Sequence, residues 1–314
     1  MRSVLTTAAI AAAVSAQPAA AQLDLAFTGT FTLPAATFDL QPDGTILAIA
    51  ADGTVLTQDQ INGSTYSPTG ATIGPPNSSG FGASFVSVSP DGQSVAVGNG
   101  EFSASNAVSI FAAADLNTPG TAAATTTITT PNFAADWADN TTLFVTGATS
   151  DTFTTVVNHL DITASTSTTV VTPAGGFSGG VAANNGTLFV GAGDTGEVRS
   201  FDASFPIAPV DFITGAAVAT ANSAGSIDAL GHLVLIAGQQ FGGIGSAFVI
   251  DQSTGLTATL QPAGPDAFYG GYFNPITNEL VVTANGTGFV YAIPAPATLA
   301  LAPLGLVALR RRRA

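Results

Sequence analysis

The sequence predicts an all-β fold, a six-bladed β-propeller of four-stranded blades, on three observations. A short apolar strand opens at Leu47, Val95, Leu143, Leu188, Leu233 and Leu280, at intervals of 48, 48, 45, 45 and 47 residues. Each of these strands follows a tight polar turn, built in the first two units on Asp43-Gly44 and Asp91-Gly92. Between the two termini no window carries a sustained 3.6-residue apolar period with helix caps, and Val, Ile, Thr and Phe dominate the strands. A fixed period of this length marks stacked or radial units, because one unit alone cannot bury its apolar face.

Each unit justifies its strands in order. The first is an alternating segment such as Phe38-Asp39-Leu40 or Val86-Ser87-Val88. The turn follows, where glycine accepts positive φ and aspartate bonds to the local backbone. Later units vary it as Asp139-Asn140, Asn185-Gly186, Leu230-Gly231 and Thr277-Asn278. The more continuously apolar second strand leads to a third, for example Val108 to Phe111, Val156 to Leu160, Val198 to Phe201 or Phe248 to Ile250. A Thr-rich fourth strand, such as Ala122 to Thr129 or Ser165 to Thr172, completes most units. The sixth unit stops at Tyr291 after three strands, while Leu23 to Thr32 precedes the first unit without a partner. The N-terminal strand is therefore expected to close the last blade, because a free sheet edge is a liability.

The stretch Ser89 to Val97 (Ser-Pro-Asp-Gly-Gln-Ser-Val-Ala-Val), with Val108 to Phe111 after it, resembles the repeat of YVTN and lactonase-type propellers, and more loosely WD40 blades. The resemblance covers most of the body and implies a scaffold. Lactonase-type propellers gather basic and acidic groups at the channel mouth. Here Arg199, the sole arginine between the terminal segments, sits inside a third strand, which argues against that chemistry.

Both ends read as targeting segments. Met1 to Ala21 has a single basic residue, Arg2, an Ala-rich apolar run from Val4 to Val14, and small residues Ala19-Ala20-Ala21 at a cleavage position, as a secretory signal peptide requires. The body, residues 22–292, carries one arginine against 20 acidic residues, a net of −19, and the chain has no lysine. Such a surface is unsuited to nucleic acid, since phosphate binding needs clustered Lys and Arg; it suits solubility, cations or a basic partner. Residues 293–314 form the tail. Pro294-Ala295-Pro296 leads into the apolar stretch Ala300 to Leu309 and then Arg310-Arg311-Arg312-Arg313. This order resembles the PEP-CTERM sorting signal of Gram-negative bacteria, with Ala295 in place of the central glutamate. The resemblance implies an exosortase-like membrane enzyme as processing partner. Residues 297–309 fall short of the roughly 20 apolar residues of a spanning helix, so a short apolar helix serving as a transient anchor is expected.

Catalytic residues and cofactors are not predicted. His232 opens a second strand at an exposed turn, His159 lies mid-strand, and no Ser-His-Asp set, His-pair metal site or cysteine nucleophile can be assembled. Asp136-Trp137-Ala138-Asp139 and Gly191-Ala192-Gly193-Asp194 miss calcium-loop spacing, so their aspartates read as turn residues. Five Asn-x-Ser/Thr sequons, at Asn62, Asn77, Asn140, Asn185 and Asn285, are explained by turn chemistry. A ligand face is expected on the long loops between second and third strands, with Glu101, Asp151 and Gln239 as candidate binding residues. The expected function is a non-enzymatic exported surface or matrix protein acting as an interaction module, whose partners would include extracellular polysaccharide or a basic protein. The alternatives are a propeller-type hydrolase or lactonase, and a cation- or glycan-binding module.

Overall fold

The computed structural model describes residues 22–34, 36–59, 65–101, 106–148, 155–171, 178–192, 196–203, 216–220, 224–238, 246–260, 270–284 and 286–293. The expected C-terminal helix, the sorting motif and the signal segment lie outside them.

Each hairpin is set by the turn chemistry its sequence carries. Asp43 Oδ1 accepts hydrogen bonds from the Thr45 backbone N–H (2.9 Å) and the Thr45 hydroxyl (2.7 Å), with Gly44 beside it at φ 85°. Asp91 and Gly92 (φ 69°) repeat the arrangement, Asn185 and Gly186 both take positive φ in the turn of blade four, and Asn278 does so in blade six, whose turn has no glycine.

The strands follow in chain order. After β1 (Ala26–Thr32), blade one runs outward from the axis as β2 (Ala36–Leu40), β3 (Thr45–Ala50), β4 (Thr54–Asp59) and β5 (Ser67–Thr72). Blade two has β6 (Phe85–Val88), β7 (Ser94–Gly98), β8 (Ala107–Ala112), then a one-turn helix α1 (Ala113–Leu116), β9 (Gly120–Thr121) and β10 (Thr126–Thr129). Blade three comprises β11 (Ala134–Trp137), β12 (Thr142–Ala148), β13 (Thr155–Asp161) and β14 (Thr166–Val171). Blade four comprises β15 (Ser178–Asn184), β16 (Thr187–Ala192), β17 (Glu197–Asp202) and β18 (Ala216–Thr220). Blade five has β19 (Ser226–Leu230), β20 (Leu233–Gly238), β21 (Ser246–Asp251) and β22 (Thr257–Leu260), and blade six β23 (Gly270–Asn274), β24 (Glu279–Ala284) and β25 (Thr287–Ala292).

Six sheets result, antiparallel throughout except where β9 joins the edge of blade one. In blade six the order is β1-β25-β24-β23, with Thr30 opposite Phe289 and Phe31 opposite Gly288. Blade one departs from the four-strand plan: β9 adds in parallel to the outer edge of β5, a five-stranded sheet that the sequence pattern did not announce. The helix α1 was likewise unexpected. It buries Ala113 and Leu116 against the first two blades and carries the chain back to β5.

The core is divided among the boundaries rather than gathered at the centre. Six buried apolar clusters lie one at each blade–blade contact. Second strands sit between sheets and are buried on both faces, as in β3 and β20. That explains their near-continuous apolar sequence, since a strand covered on both sides has no polar face to alternate with. The smallest cluster, Leu33, Ile46 and Ala48 with Phe31 and Phe38 against it, joins blade six to blade one.

Candidate functional site

Antiparallel order within each blade places all first-to-second and third-to-fourth turns on one side of the ring, the turn face. Second-to-third and blade-to-blade connections lie on the other, the loop face. Carboxylates crowd the turn face: Asp43, Asp91 and Asp139 in first turns, and Asp161, Asp202 and Asp251 at the ends of third strands. Asp52, Glu101 and Glu197 are on the loop face.

A cavity of about 840 Å³ runs between the inner strands β2, β6, β11, β15, β19 and β23. Three carboxylates face it, Asp39, Asp136 and Asp228, on the inner strands of alternate blades. Each closes a blade boundary. Asp39 Oδ2 accepts the Val88 N–H at 2.7 Å, Asp136 Oδ2 the Ala183 N–H at 2.7 Å, and Asp228 Oδ2 the Phe273 N–H at 2.6 Å. In every case Oδ1 accepts the backbone N–H of the next residue, Leu40, Trp137 or Ala229. Blades one and two, three and four, and five and six are thereby bonded in pairs. The boundary between blades two and three uses another device, the Trp137 Nε1–H donated to the Ser87 carbonyl at 3.1 Å.

Burial pushes the Asp39 carboxyl up to about 7, Asp228 up to about 6, and Asp136 well above the ordinary carboxylate range. The inter-blade N–H bonds pull all three back toward the charged form. The charge of Asp228 adds to the rise at Asp39 and Asp136. The described cavity wall holds no lysine, arginine or histidine, and its remaining titratable side chain is Tyr272. Among the described residues, no group of three His, Asp or Glu is placed to hold a metal ion, and no helix is long and apolar enough to cross a membrane.

Sequence reasoning missed these three carboxylates, and Asp136 corrects an expectation. The spacing Asp136-Trp137-Ala138-Asp139 predicts turn residues at both aspartates. Asp139 is one, with Oδ1 accepting the Thr141 N–H at 2.7 Å, but Asp136 belongs to β11 and faces the channel. The available signal was a lone aspartate between apolar neighbours mid-strand, repeated in every second blade.

The loop face is braced by amide side chains. Asn132, 6 % exposed, accepts from the Ser84 hydroxyl (2.6 Å) and the Gly100 N–H (2.8 Å), and donates to Asn106 Oδ1 and the Ala107 and Thr130 carbonyls. Asn77 Nδ2 donates to the Asn99 carbonyl at 2.6 Å, so this sequon's amide is a buried structural group. Of the three expected binding residues, Glu101 is described: its Oε1 accepts the Ser78 N–H at 2.8 Å, which ties the second-to-third loop of blade two to the connection between blades one and two. Asp151 and Gln239 lie outside the described residues, as do Pro294, Ala295, Pro296 and Arg310 to Arg313. The braced connections carry Phe81, 89 % exposed, and Phe133, which stands at the channel wall.

The two histidines are on different blades. His232 lies in an exposed turn with Nε2 3.7 Å from Asp251 Oδ2, and His159 is half-buried on β13 with its ring edge-on to Phe144. Arg199 on β17 pairs with Glu197 at 2.8 Å.

No protein-family model matches the chain, and no curated protein matches it. Among solved structures, a chain of the "Crystal Structure of Mitotic Checkpoint Complex" superimposes with a TM-score of 0.56 at 13% sequence identity, over 94% of this chain and 100% of that one. That likeness shows the propeller fold.

Proposed function

We propose that the chain is an exported, non-enzymatic interaction module of the cell surface or extracellular matrix. Residues 1–21 are its signal peptide, residues 22–292 its ring and residues 293–314 its sorting tail. The observation that carries the interaction reading is the use made of the channel carboxylates. Both oxygens of Asp39, Asp136 and Asp228 accept backbone N–H groups, which gives them a structural task at blade boundaries. Recognition is left to the loop face, where Phe81 is held out to solvent on a connection fixed by Asn77 and Glu101. An aromatic ring beside amide and hydroxyl groups suits stacking on an extracellular polysaccharide, whereas the acidic turn face suits a basic protein. The ring likened to this one belongs to a complex, in keeping with a scaffold that binds other molecules.

In this reading β1 closes the ring, so the fold is complete before the tail begins. The Pro-Ala-Pro motif, the short apolar stretch and Arg310 to Arg313 then act as a variant sorting signal for an exosortase-like membrane enzyme. Intact-mass analysis of the protein recovered from the cell surface tests both ends. The expected species begins at Gln22 and lacks the arginine cluster. A cytoplasmic species retaining Met1 and Arg313 would contradict the reading.

A further inference from the structure

Four asparagines of the chain are followed directly by glycine: Asn62, Asn99, Asn185 and Asn285. In such a pair the glycine backbone nitrogen can attack the asparagine carboxamide carbon, because glycine has no side chain to obstruct the approach. Sequence alone ranks the four alike. Asn99-Gly100 and Asn185-Gly186 are described in full, and the ring holds them in opposite ways.

At Asn99-Gly100 both reacting groups are locked. Asn99 Oδ1 accepts the Ala107 N–H at 2.9 Å and the Asn132 amide at 3.3 Å, and the Asn99 carbonyl accepts from Asn77 Nδ2 at 2.6 Å. The Gly100 N–H, which would have to attack, donates instead to Asn132 Oδ1 at 2.8 Å. Gly100 is also packed too closely to turn freely, since a Cβ there would lie 2.9 Å from Ser84 Cβ.

Asn185-Gly186 is the two-residue loop between β15 and β16, with Asn184 opposite Thr187. Both loop residues have positive φ, 50° and 78°, as a two-residue hairpin of this kind requires. Both are exposed, and a Cβ on Gly186 would meet nothing within 4 Å. Among the described residues no group holds the Asn185 carboxamide. The turn hydrogen bond of such a loop joins its flanking residues, which leaves the Gly186 N–H unengaged.

We infer that Asn185 is a self-modification site, at which the folded ring converts its own asparagine to aspartate or isoaspartate while Asn99 is protected. The Gly186 nitrogen bonds to Asn185 Cγ, the Cγ–Nδ2 bond breaks, and ammonia leaves with the proton that Gly186 gives up. Water then opens the five-membered imide at either of its C–N bonds. Water is the sole co-reactant, so the conversion proceeds wherever the protein resides. Its product adds a carboxylate to the turn face, in the hairpin where Thr187 stands opposite Asp202. The isoaspartate form also adds a backbone atom to a loop whose Gly186 carbonyl accepts the Ala203 N–H at 2.8 Å.

Incubation of the full chain at pH 8, followed by peptide mapping, tests this. Each conversion reads as a mass gain of about 1 Da in the peptide that carries it. In the folded ring Asn185 should convert at least about tenfold faster than Asn99, since misplacing reacting groups slows an intramolecular step steeply. In denaturant the two should convert at comparable rates. Asn132→Ala releases both the Asn99 carboxamide and the Gly100 N–H, and should let Asn99 convert at least about tenfold faster with Asn185 unaffected. Circular dichroism checks that the variant ring is folded, and if it is not, the comparison of native with denatured chain decides. An Asn185 that stays intact in the ring over the time in which the denatured chain converts it would overturn the inference. So would an Asn99 that keeps pace with Asn185 in the ring, or one that stays inert in a folded Asn132→Ala ring.

Discussion

Asp39, Asp136 and Asp228 do at three blade boundaries what a ladder hydrogen bond does within a sheet, and their environment gives that task a pH dependence. Burial holds all three carboxyls above the ordinary value, Asp39 at about 7 and Asp228 at about 6. The folded ring therefore keeps protons that the unfolded chain releases. Their contribution to stability is complete below the unfolded value of 3.8 and is lost as pH rises through about 6 and then about 7. At the surface the sign reverses. Asp52 is held below the ordinary value by the Thr54 N–H and Asp91 by the Ser89 hydroxyl, so their contributions are lost only as pH falls below 3.8. The melting temperature should be higher at pH 5 than at pH 8, and Asp39→Asn, which removes one titrating group, should flatten that slope. A chain that melts at a higher temperature at pH 8 than at pH 5 would show that these carboxylates are charged in the folded ring. The turn aspartates were legible in the sequence because Asp-Gly fixes a local conformation. Asp136 was not, because its role depends on Ala183, 47 residues away, and no local pattern encodes which boundary a mid-strand carboxylate bridges.

Strands one to three of each blade could be read from alternation and turns because both are local. The insertion of α1 and β9 could not: a four-residue helix has no apolar period, and the two residues Gly120 and Thr121 become a strand only because β5 offers an edge. Glycine at the ends of second strands is another product of the ring rather than of the strand. Gly98, Gly147 and Gly191 sit where the connection into an adjacent blade crosses. A Cβ on Gly147 would lie 2.4 Å from the Pro131 carbonyl carbon, and one on Gly191 would lie 2.6 Å from the Ala224 carbonyl oxygen. Gly147→Val should thus lift the connection between blades two and three. Overpacking of this kind costs about 1–3 kcal/mol, with roughly 2–4 °C of melting temperature for each. Calorimetry reads the loss, and an unchanged melting temperature would mean that the crossing is looser than the geometry indicates. The same displacement would disturb Asn132, and with it the brace between Ser84 and Gly100.

At the scale of the whole molecule the ring is a set of six apolar blade boundaries between a face of turns and a face of loops. The period of 45–48 residues made the blade count legible, because equal spacing of second strands is a property of the entire chain. The loop face was legible only in part. Glu101 was singled out as a polar loop residue, yet it braces the connection that presents Phe81, and an exposed aromatic flanked by glycines gives no signal until its loop is seen to be fixed. The proposed function rests most heavily on a division of labour, in which residues 22–292 fold as a complete ring and residues 293–314 direct its placement. Deleting residues 293–314 tests that division directly. Of the described residues the shortened chain loses Ile293 alone, which exchanges hydrogen bonds with Asn278 and packs against the cluster between blades five and six, so it should melt no more than about 2–4 °C below the full one, and it should appear in the medium instead of at the cell surface. A shortened chain that aggregates, melts much earlier, or stays bound to the surface would contradict it.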